Sequence, residues 1–123
     1  MSTTREEGLA VLRRLVPDLP FDEDGELPTS DSFAAGLLDE SLECVFGRVW
    51  TRPGLNWRSR SLVTLGVLIA LRAEGELRVH FPIALRNGLT RDELEEVVYH
   101  AAAYAGFPAA STAGRIGQEV LDQ

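Results

Sequence analysis

The sequence predicts an all-α fold of about six helices, a helical bundle filling a single domain over residues 1–123. Three observations carry that expectation. Apolar side chains recur three and four residues apart along most of the chain, which is the period of an amphipathic helix. Residues that start or stop helices punctuate those runs. No segment alternates apolar with polar residues as a half-buried strand would.

The first helix runs from near Arg5 to Leu15, capped by Thr3 or Thr4 and stopped by Pro17. Leu9, Leu12 and Val16 form its apolar stripe. The acidic segment Asp18–Asp31 carries Pro20, Gly25 and Pro28 and reads as a loop, the most mobile part of the chain. A second helix starts near Ser30 or Asp31, because Phe33, Leu37, Leu38, Leu42, Val45, Phe46 and Val49 keep the helical period. Gly47 or the Arg52-Pro53-Gly54 turn ends it.

Asn56 caps a third helix from Trp57 to about Leu71, so apolar that it needs cover on most sides. A fourth spans about Glu76 to Arg86 and closes at Asn87-Gly88. Pro82 is awkward within it, since an interior proline costs about 3 kcal/mol. Either that helix begins later or it kinks just after His80. The fifth opens with the capping box Thr90-Arg91-Asp92-Glu93 and ends at Gly106. Pro108 suits the first turn of a sixth helix reaching Leu121. Two hairpins, helices three with four and five with six, supply most of the core.

Composition narrows the function classes. A 45% hydrophobic and 25% charged chain has the makings of a packed core rather than a disordered tail. A net charge of −7 argues against nucleic acid, which is held by clustered Lys and Arg. No apolar run approaches the ~20 residues of a membrane helix, and the first residues carry no hydrophobic leader. The single cysteine, Cys44, offers neither an internal disulfide nor a paired-thiol redox site. These features point to a cytosolic protein.

Both histidines follow a glutamate by four residues. Glu76 and His80 share one face of the fourth helix, and Glu96, His100 and Tyr104 repeat the spacing on the fifth. A carboxylate so placed can fix an imidazole tautomer and raise its pKa, as acid–base catalysis near neutrality requires. The same spacing also arises by chance on exposed helices. Helical di-iron sites use Glu-x-x-His rather than Glu-x-x-x-His, and further paired carboxylates are lacking, so no metal is expected. Arg48, Arg52, Arg58 and Arg60 cluster in an otherwise acidic chain. Guanidinium groups hold carboxylates in bidentate fashion, which suits a small anionic ligand. Arg48 and Arg58 are expected instead to pair with nearby Asp or Glu, and Trp50 and Trp57 to be core or interface aromatics.

Several segments together resemble the γ-carboxymuconolactone decarboxylases. They are Val45-Phe46-Gly47-Arg48-Val49-Trp50-Thr51-Arg52-Pro53-Gly54-Leu55, Arg60-Ser61-Leu62-Val63-Thr64 and Glu76-Leu77-Arg78-Val79-His80. Asn87-Gly88-Leu89-Thr90 and His100 with Tyr104-Ala105-Gly106-Phe107-Pro108-Ala109 complete the set. The resemblance covers nearly the whole chain apart from the acidic loop. It implies the all-α fold of the alkyl hydroperoxidase D proteins and a ring-like homo-oligomer, a hexamer or trimer. The hydroperoxidase branch carries Cys-x-x-Cys-x-x-x-His, which here reads Ala73, Glu76 and His80, so disulfide-linked peroxide reduction is not expected.

The resemblance further implies cofactor-free decarboxylation of γ-carboxymuconolactone to 3-oxoadipate enol-lactone in aromatic catabolism. His80 would be the proton donor, Glu76 its orienting partner and Arg60 the holder of a substrate carboxylate. Arg52, His100 and Tyr104 would line the pocket. Burial beside Glu76 would keep His80 charged near neutral pH. Arg72 replaces a usual glycine and Phe81-Pro82 follows the candidate acid directly, so another anionic lactone or β-keto acid is the alternative substrate class. A catalytically silent oligomeric binding protein is the alternative outside enzymes.

Overall fold

The computed structural model describes residues 2–122, all helix and connecting loop, with no strand among them. The chain divides into two compact units, one reaching to Leu55 and the other beginning at Asn56.

The first unit holds α1 (Thr4–Leu15), α2 (Leu37–Ser41) and a π-helix (Leu42–Val49) continuous with α2. Thr3 caps α1 by accepting the Glu6 N–H. Leu9, Leu12 and Leu42 form a small core, with Val16, Leu19, Phe21, Leu27 and Phe46 packed around it. The second helix starts later than its periodicity suggests. Ala34 takes a left-handed conformation (φ 60°) within a turn that precedes α2. The chain then winds with hydrogen bonds to the fifth residue back, as from the Trp50 N–H to the Val45 carbonyl at 3.0 Å. Leu42 and Gly47, five apart, are both buried, and both backbones press on Gly8 of α1.

The acidic segment is fastened to α1. Arg5 grips both Glu26 oxygens at 3.0 and 3.1 Å and donates to Asp39 at 2.9 Å. Arg13 donates to the Gly25 carbonyl, and the Asp22 carboxylate accepts the N–H groups of Asp24 and Glu26.

The second unit holds α3 (Trp57–Leu71), α4 (Glu74–Arg86), α5 (Arg91–Ala105) and α6 (Phe107–Leu121). Asn56 caps α3 through the Ser59 N–H at 2.8 Å. Its core draws on all four helices: Leu65 and Ile69, then Leu77, Phe81 and Ala84, then Leu94 and Ala101, then Ala109, Ala113 and Ile116. α4 begins two residues earlier than the sequence suggests and runs through Pro82. Leu77, Phe81 and Ala84 bind it into the core on both sides of the proline, and that packing outweighs one missing backbone hydrogen bond.

The Thr90–Glu93 capping box is fully formed, with reciprocal bonds at 3.0 and 3.1 Å. Arg58 also pairs with Glu93, and the Thr90 N–H followed by Arg58 holds that carboxyl below its usual range. Thr90→Ala is expected to cost about 1 kcal/mol in urea unfolding, the ordinary value of a lost N-cap. No helix among the described residues is long and apolar enough to cross a membrane.

Candidate active site

Glu76 and His80 lie one turn apart on α4. Glu76 is exposed, whereas His80 is half-buried on a helix whose Leu77, Phe81, Ile83 and Ala84 are buried. The Nδ1 atom of His80 is buried without a hydrogen-bond partner. Burial pushes the imidazole below its usual 6.5, and the field of Glu76 only partly opposes this. The sequence had suggested the reverse balance. Spacing fixed the neighbour, but the depth of the ring, which sets the larger effect, depends on how α4 packs.

Arg60 sits in the first turn of α3 and is half-buried, with its Nε enclosed. α3 and α4 form an antiparallel hairpin whose far end is pinned where Asn87 donates to the Ser61 hydroxyl at 2.9 Å. That register puts Arg60 at the level of Asn87–Gly88, and His80 about seven residues back along α4. At 1.5 Å per residue the two are roughly 10 Å apart along the helix axis. They therefore lie at two separated points of one hairpin. Arg52 is exposed in the turn that follows the π-helix. Arg48 pairs with Glu43 at 3.4 Å and Arg58 with Glu93, as expected for these two arginines.

His100 and Tyr104 stand elsewhere. Their rings meet at 5.1 Å between centroids, and both line an open groove of about 1040 Å³ between α3 and α5. Leu62, Gly66 and Ala70 floor it from α3, while Glu93 and Glu96 add carboxylates to the α5 wall. A second hollow of about 360 Å³ lies between α5 and α6 over Phe81, with Arg91 and Asp122 bridged at 2.7 Å on its rim. Neither cavity is lined by Glu76, His80 or Arg60. Among the described residues no three His, Cys, Asp or Glu side chains gather as a metal site. Cys44 is exposed, with Arg48 Nη1 3.9 Å from its sulfur.

The groove is what sequence reasoning missed. Its signal was present as small residues four apart on two helices, Gly66 and Ala70 on α3 with Ala101 and Ala105 on α5. Only the pairing of the helices turns these into a surface feature.

Residues 37–119 match the model of the carboxymuconolactone decarboxylase family. The chain is 49% identical over 76 residues to a 4-carboxymuconolactone decarboxylase of Acinetobacter baylyi, covering 62% of this chain and 57% of that protein. It is 42% identical over 80 residues to a nitrosuccinic acid decarboxylase of Metarhizium robertsii, covering 65% and 56%. An uncharacterised 15.0 kDa protein of Paracoccus denitrificans is 29% identical over 114 residues, covering 91% and 72%. The chain thus spans little more than half the length of the first two relatives.

Proposed function

The chain belongs to the carboxymuconolactone decarboxylase family, and from that premise we propose that it is a carboxy-lyase acting on a small anionic lactone, γ-carboxymuconolactone first. The observation that carries this reading is the half-buried His80 on α4, whose Nδ1 no protein group engages. It is the buried one of the two ring nitrogens, so Nε2 is the nitrogen a ligand can reach.

The chemistry asks little of the protein. In γ-carboxymuconolactone the departing carboxylate is on the ring carbon conjugated through the alkene to the lactone carbonyl. Loss of CO2 breaks that C–C bond and pushes its electron pair into the carbonyl, giving a furan-like dienolate. One proton delivered to the α carbon then yields 3-oxoadipate enol-lactone. The substrate holds its own electron sink, so no organic cofactor or metal is required. Nitrosuccinic acid, named for the second relative, shares this logic, because its nitro group can take up the electron pair as a nitronate. A dianion with a built-in sink is the substrate class that both names have in common.

In this reading the imidazolium of His80 donates the proton from Nε2, either to the forming oxyanion or to the α carbon. Glu76 acts through its field, since it makes no hydrogen bond to the ring. Arg60 holds a carboxylate at the far end of the ligand. Because burial disfavours the charged ring, the free protein holds little imidazolium at neutral pH. The bound dianion supplies negative charge and draws the proton on.

The test is ultraviolet assay of γ-carboxymuconolactone turnover across pH. The value of kcat/KM is expected to fall as pH rises through a pKa below 6.5, the free-protein value lowered by burial. The value of kcat should fall only at higher pH, where the occupied site titrates. A pH-independent rate, or no turnover at any pH, contradicts the assignment.

A further inference from the structure

Thr64 stands in the middle of α3 and is half-buried. Threonine forms helices poorly, and a helical threonine commonly donates its hydroxyl to the carbonyl four residues back. Thr51 and Thr112 do so, to Gly47 at 2.6 Å and Pro108 at 3.2 Å. Among the described residues the Thr64 hydroxyl makes no hydrogen bond. Valine would fill the same volume with no polar group to satisfy.

The place of that hydroxyl follows from the register of α3 against α4. The end of α4 is closed by backbone bonds, from Gly88 to the Leu85 carbonyl and from Leu89 to that of Ala84, both at 3.0 Å. The Asn87 side chain is thereby left for α3, where it donates at 2.9 Å to the Ser61 hydroxyl, buried to 1% exposure. Asn87 therefore faces α3. His80 lies two helical turns earlier and shares that face. In the antiparallel hairpin it stands at the level of Leu68, two turns beyond Ser61. Arg60, Thr64 and Leu68 follow one another four apart along one ridge of α3. Thr64 is thus about halfway between Arg60 and the level of His80, roughly 5–6 Å from each along the axis.

We propose that Thr64 is a further catalytic residue, whose hydroxyl donates to the lactone carbonyl oxygen; this rests on the decarboxylase reading with His80 as acid and Arg60 as carboxylate holder. In the ligand the carboxylate that stays is at one end. The carbonyl oxygen and the α carbon are together at the other, so Thr64 and His80 approach adjoining atoms. When the C–C bond to the departing carboxylate breaks, CO2 leaves and the electron pair passes through the alkene onto the carbonyl oxygen. The Thr64 hydrogen bond strengthens as that charge grows, and the hydroxyl keeps its proton. Nε2 of His80 then gives its proton to the α carbon, the carbonyl re-forms and the imidazole is left neutral. With the oxyanion held by Thr64, the α carbon is the atom that His80 protonates.

Thr64→Val, which keeps the volume and removes the hydroxyl, tests this in the ultraviolet assay of γ-carboxymuconolactone turnover. The value of kcat should fall about 100-fold, the usual loss of one such donor. KM, helical circular dichroism and the thermal midpoint should stay near native. The fall of kcat/KM with rising pH should keep its place, because it belongs to His80. Thr64→Ser should retain most of the native rate. A Thr64→Val chain with native kcat overturns the proposal and leaves the decarboxylase reading standing. So does a loss confined to KM, or a Thr64→Ser chain no faster than Thr64→Val. A native chain without turnover overturns both.

Discussion

His80→Ala is expected to lower the turnover of γ-carboxymuconolactone by about 100-fold or more, the usual loss when a positioned general acid is removed. The loss should appear in kcat, because the proton is delivered in the reacting complex, whereas Arg60→Met should act mainly on KM. The fold should survive the histidine change. The side chain is only half-buried, and its Nδ1 has no protein partner that would be left unsatisfied. The core residues of α4, which are Leu77, Phe81 and Ala84, are untouched. His80→Gln keeps polarity and most of the volume without an acidic proton, and the same loss of turnover is expected from it.

The largest stability effect is expected at Gly8. A Cβ on that residue would stand 1.8 Å from the Leu42 carbonyl oxygen and 2.9 Å from the Gly47 nitrogen, both of them backbone. No side-chain rotation relieves such a clash, so α1 and the π-helix must part. Gly8→Ala should therefore cost about 3 kcal/mol, the upper end of ordinary overpacking, read as a lower midpoint in urea. Gly114→Ala is the contrasting change. Its Cβ would meet only Val98 Cγ1 at 4.0 Å, and replacing a mid-helix glycine there should stabilise α6 by roughly 0.5–1 kcal/mol.

These outcomes follow what the sequence could and could not disclose. The caps at Thr3, Asn56 and Thr90 were legible because each is a bond between a side chain and the N–H three residues on. The hairpins α3–α4 and α5–α6 followed from the breakers between them. Pro82 misled, since its local cost is real but the core on both sides of it decides. The π-helix was not legible either. Its pattern differs little from an α-helix over eight residues, and the wider winding accompanies the close backbone approach to Gly8.

The candidate site shows the same division. That Glu76 and His80 share a face is a matter of helical spacing, and the structure keeps it. Whether the ring gains or loses proton affinity depends on burial, which only the packed hairpin reveals. His100 and Tyr104 share a face as expected, yet their wall belongs to a groove that needs α3, some thirty residues earlier, to exist.

The assignment of acid chemistry to one ring comes down to a single comparison, the ultraviolet decay of authentic γ-carboxymuconolactone with the native chain and with His80→Ala at equal, folded concentration. The native chain should consume the lactone and the variant should be slower by about 100-fold or more. Equal rates from the two proteins would contradict it and leave His80 as a residue of the helical core alone.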